Sequence, residues 1–242
     1  MRLDATKVQL EDEVTRTPEH IRLRYRENRD WRLFPKEWIY KNIVLKGKDV
    51  LDFGCGTGEI ATQIAFLGAN RVYALDVTPE LLDSTRRRAE LDGVADRIQT
   101  VYGTIQAVAP LPVDVIVAFA VLHHCCPLEN VMPGLLRWLK PGGVFVAVEP
   151  VNYLAPLEWL RNHSGVPAGP LDEGERKLRV EDLQYVTSQF PQSQTIHFHL
   201  LGRLSRIWPG GDRLYRRMDR LALCAPMAWK FAGTALIVGQ SQ

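Results

Sequence analysis

The chain of 242 residues lacks most of the marks of a membrane, secreted or nucleic-acid-binding protein. No uninterrupted apolar run reaches the roughly 18 residues that suggest a membrane-spanning helix. The opening stretch MRLDATKVQLEDEVTRTPEH holds no apolar core of the signal-peptide kind, so a cytoplasmic location is the expectation. There are only four cysteines, Cys55, Cys125, Cys126 and Cys224. The adjacent pair has neither metal nor redox spacing, which reads as four reduced, mostly buried thiols. The net charge is only +2, which gives no case for a nucleic-acid partner. Internal repeats and low-complexity tracts are missing. So are the GxxxxGK[ST] phosphate loop and any Ser-His-Asp or Cys-His arrangement.

What is present is a globular composition, 46% hydrophobic and 24% charged, enough for one α/β domain with an added lid or insertion. Residues 1–45 read as charged helical segments. From Arg16 to Trp31 acidic and basic residues alternate around Ile21, Leu23, Tyr25 and Trp31. That pattern suits a solvated helix, or a lid over an active-site mouth with Tyr25 facing substrate. Val50 to Phe53 then forms a short apolar strand, Glu59 to Leu67 a helix ended by Gly68, and Arg71 to Leu75 a second strand ending at Asp76. Thr78 and Pro79 open a helix that runs to about Leu91. Ile98–Tyr102 and the continuous apolar run Val113–Phe119 are strands, the latter buried on both faces. Leu128–Leu139 reads as a helix interrupted by Pro133, Pro141–Gly143 as a turn, and Val144–Val148 as a fifth strand. Strand and helix alternate about five times, the signature of a doubly wound parallel sheet.

The remainder is less regular. Val151–Arg179 is a long excursion rich in Pro, Gly, Trp and Asn, of the length that loops reach when functional or disordered. Glu181–Phe190 is a helix, and Thr195–Leu200 and Thr234–Val238 are two more strands. Between them, Arg203–Trp229 is a basic helical insertion with arginines at 203, 206, 213, 216, 217 and 220, and with Leu214, Tyr215, Met218 and Leu221 interspersed. It reads as a solvated helix face, as a lid favouring an anionic or lipid-like acceptor, or as a membrane-surface or partner contact. His197 and His199 alternate on a strand. A structural role suits them better than metal binding, and no other cluster has metal-ligand spacing.

Chemistry concentrates in Asp52-Phe53-Gly54-Cys55-Gly56-Thr57-Gly58, between a strand and a helix. Glycines there permit a tight turn and close approach of a ligand to backbone. Asp76, at the end of the next strand, is placed to accept hydrogen bonds from both hydroxyls of a ribose. A dinucleotide fingerprint would require a third glycine where Glu59 stands. Asp52 suits a cationic amino group and would repel a pyrophosphate. A nicotinamide-dependent dehydrogenase is therefore disfavoured.

The segments VLDFGCGTGE, YALDVTPELL, VDVIVAFAVLHHC and LKPGGVFVAVEP resemble, in order and spacing, the motifs of class I S-adenosylmethionine-dependent methyltransferases. The likeness covers about residues 48–150 and is greatest to the small-molecule group with a Leu-His-His segment after the fourth strand. It implies a Rossmann-like fold with a seven-stranded, mostly parallel sheet whose last strand, Thr234–Val238, is antiparallel. The domain would span 1–242, with a helical lid at 1–45, a cofactor-binding core at 46–150, and substrate-side insertions at 151–180 and 201–230. S-adenosylmethionine is the implied cofactor. Gly54, Cys55, Gly56 and Gly58 would lie beside it, with Asp52 near its methionine part. Asp76 would hold the ribose and Val77 the adenine, while Phe119 and Ala120 would line the methionine side. The acid that often follows the third strand is absent, because residues 102–106 read Tyr-Gly-Thr-Ile-Gln. Thr104 or Gln106, or backbone near Ile105, would take its place.

Methyl transfer mainly requires alignment of nucleophile, methyl and sulfur. A hydroxyl or ammonium acceptor must also lose a proton, and His123 and His124 are the candidate bases; their alternative is to shape the turn. Glu149, Asn152 and Tyr153 are candidate substrate contacts at the strand ends, Glu149 being otherwise simply solvated. The expected activity is methyl transfer to oxygen or nitrogen of a small-molecule acceptor. Nucleic acid is not expected, and the [ND]-P-P-[YFW] sequence is replaced by Ala118-Phe119-Ala120-Val121. The alternative is a non-catalytic cofactor-binding partner of another methyltransferase.

Overall fold

The computed structural model describes residues 33–153, 176–198 and 212–242. The segment 1–32 with Tyr25, residues 154–175, and 199–211 with His199, Arg203 and Arg206 lie outside the described residues. Seven strands form one sheet: β1 (Asp49–Phe53), β2 (Arg71–Asp76), β3 (Ile98–Tyr102), β4 (Val113–Phe119), β5 (Leu139–Pro150), β6 (Gln192–Phe198) and β7 (Thr234–Gln240). Their order is β3-β2-β1-β4-β5-β7-β6. The first five run parallel, and β7 lies antiparallel between β5 and β6. This is the Rossmann-like, doubly wound sheet expected. Its order reverses between β1 and β4, the switch point outside which such sheets bind ligands at their carboxyl ends.

The helices among the described residues are α1 (Leu33–Asn42), α2 (Glu59–Phe66), α3 (Pro79–Leu91), α4 (Met132–Leu136), α5 (Val180–Ser188) and α6 (Asp212–Ala222). Alternate strand residues face two cores, as the two-residue period of a strand requires. Val50, Val72, Ala74, Val115 and Val117 pack with Ile60 and Ile64 of α2 and Leu82 and Ala89 of α3. Leu51, Phe53, Ile116, Phe145 and Ala147 pack with Met132, Trp138, Leu183 and Phe190 on the other face. Burial on both faces is why these strands read as unbroken apolar runs. None of the described helices is long and apolar enough to cross a membrane.

Two elements differ from the expectation. The helix read over 128–139 is a 3-10 turn, Leu128–Asn130, followed by the five-residue α4. Pro133 sits in the first turn of α4, where its missing N–H costs nothing. The turn at Pro141–Gly143 lies inside β5. Val113 pairs with Leu139, but Val115 already pairs with Val144, so the intervening residues bulge out at Gly142, whose φ is 71°. Smaller shifts affect β6, which begins at Gln192, and α6, which accounts for only part of the basic insertion.

Candidate active site

The glycine loop between β1 and α2 is held from both sides. Gly54 and Cys55 donate their N–H groups to the Leu75 carbonyl of β2, at 2.9 and 3.0 Å. From α3, the Thr85 hydroxyl donates to the Gly56 carbonyl and Arg88 Nε to the Thr57 carbonyl, both at 2.9 Å. The glycines serve different ends. A Cβ on Gly54 would come within 2.2 Å of the Val121 side chain, whereas one on Gly56 would meet no atom within 4 Å. Packing dictates Gly54. Gly56 borders open space, which is where a ligand can approach backbone. Cys55 turns its thiol into the core beside Thr85, and burial pushes that thiol well above its usual range; it contributes backbone to the loop.

Two carboxylates stand beside this loop and sense each other's charge. Asp76 accepts the Gly56 N–H on Oδ2 at 3.0 Å and the Thr78 N–H on Oδ1 at 2.9 Å, which fixes its plane at the end of β2. Asp52 is 1% exposed, and its Oδ2 has no hydrogen-bond partner. Burial, with the Asp76 charge adding to it, pushes the Asp52 carboxyl up to about 7, against the pull of the Ala61 N–H and the Lys36 ammonium. A buried, unmatched carboxylate oxygen is costly unless a ligand supplies the donor.

Lys36 was not singled out in the sequence. It lies in α1, is itself buried, and donates to Glu59 Oε1 at 2.6 Å. Its ammonium stands 5.1 Å from the centroid of Phe119 at the end of β4. Tyr40 of the same helix donates to Gln63 of α2. The segment read as a lid is therefore docked, over its described part, on the first turns of α2.

At the end of β5, Glu149 is 0% exposed. The solvated alternative does not hold. Oε1 accepts the N–H groups of Val121 and Leu122 at 2.9 and 2.8 Å. Oε2 accepts the His123 N–H at 3.3 Å and pairs with His123 Nδ1 at 2.8 Å. Glu149 thus organises the 3-10 turn Leu122–His124 rather than reaching outward. His123 is buried, His124 is exposed, and their rings lie 4.0 Å apart. Ala120 precedes this turn at φ 55° and donates its N–H to the Val148 carbonyl at 2.8 Å. Such strain in a non-glycine residue is characteristic of functional turns.

Further along the same edge, Asn152 donates its N–H to the Leu178 carbonyl. The Tyr153 hydroxyl pairs with His197 Nε2 at 2.9 Å. Trp229 completes the group, its ring 5.1 Å from Tyr153 and 5.5 Å from His197. His197 lies opposite Ala235, which lies opposite Glu149, so the trio shares the carboxyl edge with the histidine turn. Burial pushes the Tyr153 phenol up and the His197 imidazole down, which keeps both neutral near pH 7. His197 and Trp229 were not expected here. Only the polar–apolar alternation of β6 hinted at His197.

Beyond β2 and β3, Val77 is exposed beside Asp76, and Thr104 is exposed after β3. The side chain of Ile105 is buried in the core against Gly134, which leaves only its backbone for the expected contact. Gln106 donates to the Asn130 carbonyl at 2.7 Å and is thereby drawn toward the 3-10 turn Leu128–Asn130. The cysteines also differ from the expectation. Cys55 is buried, Cys125 and Cys126 are half-buried, and Cys224 is exposed. A cavity lined by Asn42, Lys48, Asp114 and Lys140 lies at the opposite, amino edge of the sheet, away from all of these groups.

Residues 50–143 match the family model of a methyltransferase domain. The ribosomal protein L11 methyltransferase of Pasteurella multocida is 36% identical over 108 residues, 45% of this chain and 35% of that protein. Protein arginine N-methyltransferase 6 of Danio rerio is 34% identical over 125 residues, 49% of this chain and 35% of that protein. The chain thus spans about a third of the length of these relatives. Among solved structures, the geranyl diphosphate C-methyltransferase of Streptomyces coelicolor A3(2) superposes with a TM-score of 0.61 at 13% identity, over 85% of this chain and 76% of that one. That likeness concerns the fold.

Proposed function

We propose that the chain is a methyltransferase that uses S-adenosylmethionine and methylates an oxygen or nitrogen of a small-molecule acceptor. The observation that carries the reading is the loop at the carboxyl edge. Open space at Gly56 adjoins Asp76, whose plane is fixed by two N–H groups, one of them that of Gly56, and two residues before the loop Asp52 keeps a buried Oδ2 without a partner. This arrangement fits a ligand with a ribose and a cationic amino group, and it does not fit a pyrophosphate. The methyltransferase-domain match over these residues supports the same reading. The relatives act, by their names, on proteins. The choice of a small acceptor rests on the balanced charge of the chain and on the neutral aromatic group Tyr153–His197–Trp229, which suits a compact, weakly polar acceptor.

The cofactor supplies an electrophilic methyl group when bound. The protein supplies position. Asp76 would hold the ribose hydroxyls, Asp52 the amino group, and Phe119 and Ala120 the wall beside the methionine chain. Alignment of this kind is worth roughly 7–11 kcal/mol in favourable cases. The acceptor proton would pass to the histidine turn. His124 is its exposed member and is proposed as the base. His123, fixed through Nδ1 to Glu149, is a positioning residue against which the His124 ring packs.

Calorimetric titration with S-adenosylmethionine, S-adenosylhomocysteine and NAD tests the first half of the proposal. Micromolar binding of the first two, lost in Asp76→Ala, is expected. Binding of NAD alone would overturn it. For the second half, His124→Gln should lower turnover by about 10²–10⁴-fold with an unchanged melting temperature. His123→Gln should lower both, because Glu149 loses its ring partner. Unchanged turnover in His124→Gln would remove that residue from the mechanism.

A further inference from the structure

We propose that Lys36 binds the carboxylate of the cofactor's amino-acid end, exchanging its partner Glu59 for that group and so coupling α1 to cofactor occupancy. The inference rests on the S-adenosylmethionine reading and deepens it. An amino-acid end carries an ammonium and a carboxylate. Asp52 offers an unmatched oxygen to the first; the second needs a cation in the same space. The buried cations among the described residues are Lys36 and Arg88. Arg88 comes from α3 and gives its Nε to the Thr57 carbonyl, where it holds the loop itself. Lys36 comes from the other side, over Phe119 at the end of β4, and its charge is felt by Asp52.

The present partner of Lys36 is replaceable. The lysine side chain is 7% exposed but that of Glu59 is 33% exposed. If the pair parts, Glu59 already borders water, whereas a buried ammonium must keep an anion. A ligand carboxylate meets that requirement. The charge balance favours the exchange as well: Asp52 and Glu59 are two acids beside one lysine, and a zwitterionic ligand adds its ammonium on the Asp52 side and its carboxylate on the Lys36 side. Because Lys36 sits in α1, the exchange would alter how that helix is held against α2, where Tyr40 also bonds Gln63.

A purely structural Lys36–Glu59 pair makes a different prediction, and two variants separate the two. The full chain, Lys36→Met and Glu59→Gln are each titrated with S-adenosylhomocysteine and with 5′-methylthioadenosine, which lacks the amino-acid end. Loss of one charged hydrogen bond should weaken S-adenosylhomocysteine binding by about tenfold or more in Lys36→Met, with 5′-methylthioadenosine affected less than about twofold. Glu59→Gln should leave S-adenosylhomocysteine binding equal or tighter, because the competing carboxylate is gone. Equal losses for both ligands in Lys36→Met, or parallel losses in both variants, would overturn the assignment. If neither ligand binds the unaltered chain, the cofactor reading fails and this inference fails with it.

Discussion

The two halves of the sheet's carboxyl edge are built by different means. Over β1 and β2, backbone is pinned by side chains: Asp76 takes two N–H groups, and Thr85 and Arg88 take two loop carbonyls. Over β5, β7 and β6, side chains meet side chains: Tyr153, His197 and Trp229 form a neutral aromatic group with one hydrogen bond inside it. Glu149 stands at the seam and uses the first method on the histidine turn. A pinned backbone presents the same surface whatever binds. That suits a ligand that never changes. An aromatic group can be recomposed by substitution without disturbing the fold, which suits an acceptor that differs from one enzyme to the next.

The pinned half is where substitution should act most strongly. Gly54 and Gly56 both have positive φ, 69° and 54°, so alanine is strained at either by about 1–2 kcal/mol. At Gly54 the new Cβ also strikes Val121. Gly54→Ala should therefore destabilise the fold by about 2–5 kcal/mol in all, lowering the melting temperature by roughly 4–20 °C. Gly56→Ala should cost only the backbone strain in stability, yet abolish S-adenosylhomocysteine binding, because its Cβ enters the ligand's space. Equal losses of stability with equal retention of binding would mean that the space at Gly56 is not the cofactor site.

This pair also shows what could be read from the sequence. The pinned half was legible because its determinants are local: DFGCGTGE places strand end, loop and helix start within a few residues, and Asp76 ends the next strand. Even so, the sequence could not separate the glycine required by Val121, 67 positions away in the chain, from the one required by a ligand. The aromatic half depends on contacts between segments far apart, such as Tyr153 and His197, 44 positions apart. Lys36 was hidden for the same reason. Its significance comes from Glu59 and Phe119, not from its neighbours in FPKEW. The run 128–139 reads as one helix because an apolar stretch with a proline does not reveal that Trp138 leads into β5 and Leu139 begins it.

A smaller effect concerns acidity. The groups facing Asp52 are the Asp76 carboxylate from β2, the Lys36 ammonium from α1 and the Ala61 N–H from α2. Its carboxyl is raised from 3.8 to about 7 in the folded chain. A raised folded value means that the stabilisation is complete below the unfolded value, near pH 4, and is lost as pH rises through about 7. The free protein should thus lose stability between about pH 4 and 7, relative to Asp52→Asn. A bound ammonium reverses the preference, since it favours the charged carboxylate. S-adenosylhomocysteine affinity should then fall by up to about tenfold for each pH unit below 7, and Asp52→Asn should flatten that slope. An unchanged slope in Asp52→Asn would place the amino group elsewhere.

The smallest expected effect tests the other half. Tyr153→Phe removes one hydrogen bond, that to His197 Nε2, while keeping the ring against Trp229. Loss of one neutral hydrogen bond costs about 1 kcal/mol, or roughly 2–4 °C in melting temperature for a chain of this size. If the two halves are separate in function as they are in construction, S-adenosylhomocysteine affinity stays the same in this variant, and the change falls on KM for the acceptor. A loss of cofactor affinity comparable to that of Asp76→Ala would mean that Tyr153 acts across the seam. The route for such an effect is already visible. His197, Ala235 and Glu149 occupy one row of the sheet, and Glu149 holds the turn that follows Phe119 and Ala120. A strain on His197 has only β7 to cross before it reaches the wall proposed for the cofactor, so an unaffected cofactor affinity would show that β7 insulates one half from the other.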